Sequence, residues 1–232
     1  TFDQAVSIPT GINTAAQGLV THDITLDGVE LYPPWKEGGR GKYAGKPIII
    51  FGGSSCVGQF TLQIAKLGGF SPIITTASPR NADLLKALGA THVLDRNLSS
   101  EALRQDVIEI TSQPVEIIYD AISIPSTQNA AYDILAPGGY LVLLLGEAID
   151  AAKKASQPAK NVIVHIGGVG PGFKEGDNIW TTLTGLLEEG VVRPTRVEVL
   201  PGGLAGVPKG LELLKNDQVS AAKLVVHPQE TA

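Results

Sequence analysis

The chain has 232 residues, a formal net charge of -5, and 43% hydrophobic against 18% charged residues. That balance excludes a disordered chain, and an acidic excess without a basic cluster argues against nucleic acid or an anionic membrane as partner. The single cysteine excludes an intrachain disulfide, and His22, Cys56, His92, His165 and His227 lie nowhere at metal-ligand spacing, so no metal site is expected.

Residues 1–26 read as a lead-in, in which Ala15 to Val20 can form a helical turn or two after Pro9-Thr10-Gly11. Residues 27–46, with two prolines and five glycines, read as an exposed loop. The pattern then changes. Pro47 to Phe51 is an apolar, β-branched run that predicts a buried strand. A glycine- and serine-rich turn follows, and Val57, Phe60, Ile64 and Leu67 recur at helical spacing until Gly68-Gly69 ends the run. Alternation continues with a strand at 72–76, a helix at 80–88, a strand at 91–94 and a helix at 99–111 capped by Ser99 or Ser100. Further strands are predicted at 115–119, 140–145 and 162–166, with helices at 126–135 and 178–189 and an exposed connection at 146–161. Strands alternating with helices specify an α/β fold with a doubly wound parallel sheet, a Rossmann fold. Strands at 196–200 and 223–226 around a helix at 204–214 form a C-terminal strand-helix-strand appendage. The expected organisation is therefore a lead-in and loop over 1–46, a dinucleotide-binding domain over 47–195 and the appendage over 196–232.

The chemistry concentrates in Gly52-Gly53-Ser54-Ser55-Cys56-Val57-Gly58, between the first strand of that sheet and its helix. Glycines there allow a tight turn and close approach of backbone to a pyrophosphate, while the helix N-terminus offers unpaired N–H groups. The spacing departs from G-x-G-x-x-G, and a bare β-α turn is the bland alternative. A phosphate-binding P-loop is excluded because Gln59-Phe60 stand where lysine and a hydroxyl residue are required. The second strand ends without the acid that an NAD site or a methyltransferase places there. It carries Ser78 and Arg80 instead, a hydroxyl and a guanidinium suited to the 2′-phosphate of NADPH. Arg80 also suits a solvated first-turn position with Ser78 as its cap, and the two readings are compatible. Ala121 and Ser123, and Leu145 and Gly146, fall at strand ends along the carboxyl edge where ligands bind in such sheets. Cys56 reads as a small, buried hydrophobe, and His92 and His165 as structural residues in strands. No catalytic triad or carboxylate pair stands out, so the catalytic residues are unassigned.

The loop at 52–58 with Gln63-Ile64-Ala65-Lys66, then Lys86-Ala87-Leu88-Gly89-Ala90-Thr91-His92-Val93-Leu94-Asp95, resembles the medium-chain dehydrogenase/reductase superfamily. The likeness is to its zinc-free quinone oxidoreductases and fungal enoyl reductases. Asn13 to Leu19, Ala136 to Tyr140, Leu186 to Gly190 and Val219 to Val226 extend it over nearly the whole chain. The departures are Ser55, at a position often held by glycine, and Arg96, where many relatives carry an aromatic residue against the adenosine. The resemblance implies NADPH across the carboxyl edge, with Thr14 and the end of the strand at 115–119 toward the nicotinamide. It implies hydride transfer to an activated C=C, an enone or a quinone, with a small molecule as substrate. A non-catalytic NADPH-binding protein or sensor is the alternative. Relatives begin with a barrel-like catalytic domain, on which the appendage packs. This chain begins near that boundary and has no methionine, so Thr1 is expected to be a processed end or an edge within a longer protein. The isolated chain is accordingly expected to expose an apolar patch, or to cover it in a homodimer. No apolar run long enough to span a bilayer and no secretory leader pattern occur, so a cytoplasmic location is expected.

Overall fold

The computed structural model describes residues 1–20, 22–23, 26–165 and 178–231. Two helices open the chain, α1 (Phe2–Val6) and α2 (Pro9–Val20), before a short antiparallel pair, β1 (His22–Asp23) and β2 (Leu26–Asp27). The main unit alternates β3 (Ile48–Phe51), α3 (Cys56–Leu67), β4 (Ile73–Ala77), α4 (Ala82–Leu88), β5 (His92–Asp95), α5 (Ser100–Ile110), β6 (Ile117–Asp120), α6 (Pro125–Ile134), β7 (Tyr140–Leu143), α7 (Ala151–Ser156), β8 (Asn161–Val164) and α8 (Leu183–Glu188). Then follow β9 (Arg196–Val199), α9 (Val207–Lys215) and β10 (Ala222–Val225).

Six strands form one parallel sheet in the order β5-β4-β3-β6-β7-β8. Chain direction across the sheet reverses between β3 and β6, the switch point at whose carboxyl ends ligands of such sheets sit. The alternation of side chains divides the core. Ile48 and Ile50 face one layer with α2 and α3, whereas Ile49 and Phe51 face the other with α5 and α6. Both faces are covered, which is why the strands read as continuous apolar runs rather than alternating ones. β9 and β10 pair parallel to one another in a separate two-stranded sheet, so the strand-helix-strand appendage stands outside the main sheet.

Three segments differ from the sequence expectation. The lead-in is not a turn or two of helix but the full twelve residues of α2, buried along most of its length. Its glycines hid it, because glycine is a poor helix former. They are there for contact: a Cβ on Gly11 would lie 2.6 Å from the Phe60 ring, and one on Gly18 2.9 Å from the Tyr119 ring. The loop at 27–46 is not exposed throughout, because Val29, Leu31 and Trp35 of its first half are buried in the core layer. The connection at 146–161 contains α7, started by Asp150, whose carboxylate accepts from the amides of Ala152 and Lys153. The sixth strand ends at Val164, and Ile166, included in its predicted span, lies outside the described residues.

Candidate functional site

The glycine turn follows β3 at the switch point. Gly52 adopts φ +74°, a conformation that favours glycine, and its amide is held by both the carbonyl and the hydroxyl oxygen of Thr76 at 3.1 Å. A Cβ on Gly53 would lie 2.2 Å from the Thr75 hydroxyl oxygen, and one on Gly58 2.3 Å from the Gly52 carbonyl oxygen. The backbone of the turn thus packs where no side chain fits. Ser55, the residue in a place often held by glycine, is the N-cap of α3: its hydroxyl accepts from the Gly58 amide at 3.0 Å. Gln59 Nε2 donates to the Ser54 carbonyl at 3.0 Å and fixes the turn from behind. Val57 packs against the core layer. Cys56 is half-buried as the first residue of α3, its Sγ 3.6 Å from the Ser7 carbonyl oxygen and 3.8 Å from the Thr195 hydroxyl.

Two cavities flank this turn. One, of about 540 Å³, is walled by Ser54, Ser55, Cys56, Ser78 and Arg80 on the sheet side and by Ser220 and Lys223 of the appendage on the other. The second, of about 570 Å³, runs over Gly52, Ser54, Thr76 and Ala77 toward Asp95, Asn97 and Leu98. Ser54, Arg96, Ile122 and Asp217 line both, so the two form adjoining parts of one groove along the carboxyl edge. Ser78 stands at the N-cap position of the turn at Pro79–Asn81, but its side chain makes no capping hydrogen bond. The guanidinium groups of Arg80 and Arg96 make no hydrogen bond or ion pair with the described residues. Five of the residues singled out from the sequence, Arg80 among them, therefore meet in one cavity with Arg96.

Thr14, Ala121, Ser123, Leu145 and Gly146 line neither cavity. Ser123 and Gly146 are joined through Gln128, whereas the Ala121 amide donates to the Phe51 carbonyl and Leu145 is exposed. The Tyr119 hydroxyl donates to the Thr14 carbonyl at 2.9 Å, and burial pushes that phenol well above its ordinary range. Asp120, fully buried at the end of β6, accepts from the amides of Ile122 and Ser123 and from the Thr127 hydroxyl. Burial raises its pKa, and those three hydrogen bonds oppose the rise. Ser123, at φ +56°, donates its hydroxyl to the Asp120 carbonyl and accepts from the Leu144 amide at 2.8 Å. His92 Nδ1 lies 2.9 Å from the Thr91 hydroxyl oxygen. His165 is buried with neither ring nitrogen hydrogen-bonded to a described residue, and burial lowers its pKa. Among the described residues no group of three or more His, Cys, Asp or Glu is placed to hold a metal ion, and no helix is long and apolar enough to cross a membrane.

Sequence reasoning missed three contributors. Arg96 was noted only as a departure, yet it joins the two cavities. The appendage segment at 217–224 walls the groove, and Ser220 exchanges hydrogen bonds with Asn81 at 3.2 and 3.3 Å. No local pattern could announce a contact across 139 residues. Gln128 is a polar residue on the buried side of an amphipathic helix, a signal that goes unnoticed when polar residues are assumed to face water.

Known proteins resemble this chain in sequence and fold. Residues 56–165 match the family model described as zinc-binding dehydrogenase. The trans-enoyl reductase resD of Aspergillus sclerotiorum is 30% identical over 240 residues, covering 97% of this chain and 67% of its own length. A trans-enoyl reductase of Gibberella fujikuroi is 32% identical over 195 residues, or 77% of this chain, and the match spans 54% of that relative. The chain thus corresponds to between about half and two thirds of these relatives. Among solved structures, a quinone oxidoreductase of Pseudomonas syringae pv. Tomato superposes with a TM-score of 0.72 at 19% identity, over 97% of this chain and 65% of that one. The 2-octenoyl-CoA carboxylase reductase CinF, solved in complex with NADP and 2-octenoyl-CoA, superposes with a TM-score of 0.71 at 18% identity, over 100% of this chain and 51% of that one. With the glycine turn, the six-stranded order and a trans-enoyl reductase relative matched over two thirds of its length, the chain belongs to the medium-chain dehydrogenase/reductase superfamily, with trans-enoyl reductases among its relatives.

Proposed function

We propose that this chain is the cofactor-holding part of an NADPH-dependent oxidoreductase that reduces an activated C=C, an enone or a quinone. One observation carries the reading: a turn too tight for a side chain at Gly58 opens onto a groove containing two guanidinium groups with no partner among the described residues. The trans-enoyl reductase relatives and the fold shared with an NADP-bound reductase support it.

In this reading the backbone from Gly52 to Gly58 and the capped N-terminus of α3 hold the pyrophosphate, where N–H groups and the helix dipole favour negative charge. Ser78 and Arg80, with Arg96 across the groove, hold the 2′-phosphate by charge-assisted hydrogen bonds. Thr14, Ala121, Ser123, Leu145 and Gly146 flank the nicotinamide. NADPH supplies the hydride when bound. The chain's own work is to bind and orient. No residue here is assigned a catalytic role, and the substrate contacts belong to whatever packs on this edge in the whole protein.

The test is a titration of the chain with NADPH and with NADH, followed by nicotinamide fluorescence and repeated with Arg80→Ala. Loss of a charge-assisted phosphate contact worth about 1.5–3 kcal/mol lowers NADPH affinity roughly tenfold to a hundredfold. NADH affinity stays within about twofold, because no 2′-phosphate is present to lose. Failure of both nucleotides to bind overturns the reading. Binding without NADPH oxidation in the presence of enone or quinone acceptors leaves a non-catalytic NADPH binder.

A further inference from the structure

The wall proposed to flank the nicotinamide is made of two loops, 121–124 after β6 and 144–148 after β7. Neither loop has regular structure, yet both are held to one side chain. Gln128, on α6, is fully buried. Its Nε2 donates to the Ser123 carbonyl at 2.8 Å and to the Gly146 carbonyl at 3.0 Å, and its Oε1 accepts from the Ala148 amide at 2.7 Å. One primary amide thus spans from the first loop to the second. On the outer side of this joint the surface is open. A Cβ on Gly146 would meet nothing within 4 Å, and Leu145 is 54% exposed. A buried amide replaced by an apolar group of similar size would leave two carbonyls and an amide without partners, so the loops would have to part to reach water.

We infer that Gln128 is a positioning residue: by joining the loops after β6 and β7 it sets the nicotinamide-side wall of the groove, while the glycine turn and the Ser78–Arg80 end are held without it, Ile122 alone of the Gln128-held loops reaching into both cavities. The asymmetry rests on the hydrogen-bond pattern. The glycine turn is held by Thr76, Ser55 and Gln59, none of which bonds to Gln128. The inference deepens the reading of the groove as a dinucleotide site and rests on it.

The experiment compares two probes on the full chain, NADPH and adenosine 2′,5′-bisphosphate, which carries the adenosine and 2′-phosphate but no nicotinamide. Gln128→Met removes all three hydrogen bonds at similar volume, and Gln128→Glu keeps the acceptor for Ala148 while removing the donor to both carbonyls. Each variant is expected to bind NADPH roughly tenfold more weakly and the bisphosphate within about twofold of the parent. Hydrogen exchange is expected to show faster exchange at the Ala148 amide in Gln128→Met, with α3 unchanged in both variants, which separates a displaced wall from a misfolded chain. If NADPH and bisphosphate affinities fall together, or if NADPH affinity does not move, the positioning role is wrong. If the parent chain binds neither probe, the dinucleotide reading fails first and the inference falls with it.

Discussion

Gly58 does two things that only glycine can combine. Its amide caps α3 through the Ser55 hydroxyl, while the space where a Cβ would stand is taken by the Gly52 carbonyl oxygen at 2.3 Å and the Gly53 Cα at 2.8 Å. Both obstacles are backbone, so a side chain at 58 must push the turn out of shape rather than turn aside a flexible neighbour. Gly58→Asp adds a negative charge at the place proposed for the pyrophosphate. The expected result is loss of NADPH binding by at least about a hundredfold in a fluorescence titration, against roughly 1–3 kcal/mol of lost folding stability. Unchanged nucleotide binding in a folded Gly58→Asp variant would mean that the turn is not where the ligand lies. Ser55 shows the reverse case. Its hydroxyl provides the cap that a glycine in that position would lack, so a departure from the usual motif is compatible with the same turn.

Among the elements, α2 was the hardest to see and is among the most deeply buried. It lies on α3 and the sheet through glycines whose missing side chains let the backbones approach. Gly18→Val would drive its side chain into the Tyr119 ring, 2.9 Å from the new Cβ, and disturb the hydrogen bond from that phenol to Thr14. Overpacking of this kind costs about 1–3 kcal/mol, and the urea midpoint of the variant should fall accordingly with an unchanged slope. A midpoint at or above that of the parent would show that α2 can slide away from the sheet. The strands of the main sheet, by contrast, were legible because both their faces are covered: apolar runs such as Ile48–Phe51 have no other place to go. α7 was read as a loop because its first residues follow no apolar period. A six-residue helix is set by its Asp150 cap and by good helix formers, not by a buried face.

Across the whole molecule, the two ends of the described chain meet. His227 lies between two carboxylates, Nδ1 2.9 Å from Glu230 and Nε2 2.8 Å from Asp3 of α1. Hydrogen bonds to Glu230 and then to Asp3 raise its pKa above the usual 6.5. A raised pKa in the folded state means that this tether contributes fully below the unfolded value and is lost as pH rises through the folded one. Attachment of α1 to the tail should therefore loosen on passing from mildly acid to alkaline solution, seen as faster hydrogen exchange in α1. His227→Asn should remove that pH dependence, and a variant that retains it would place the titrating group elsewhere. The same scale holds an apolar stripe: Leu204, Leu211 and Leu214 of the appendage are each more than half exposed.

From the sequence came the alternating order, the parallel sheet, the glycine turn and the cation at the end of the second strand, because each rests on residues close together in the chain. Apolar period, β-branched runs and glycine spacing act locally, and physical chemistry reads them the same way wherever they occur. Only the tertiary structure decided that Arg96 joins Arg80 across one groove, that Ser220 and Lys223 of the appendage wall it, and that Gln128 fastens the loops after β6 and β7. Those outcomes depend on segments distant in sequence meeting at the edge of a sheet. A buried polar side chain has no local signature, since its hydrogen-bond partners exist only once the chain is folded.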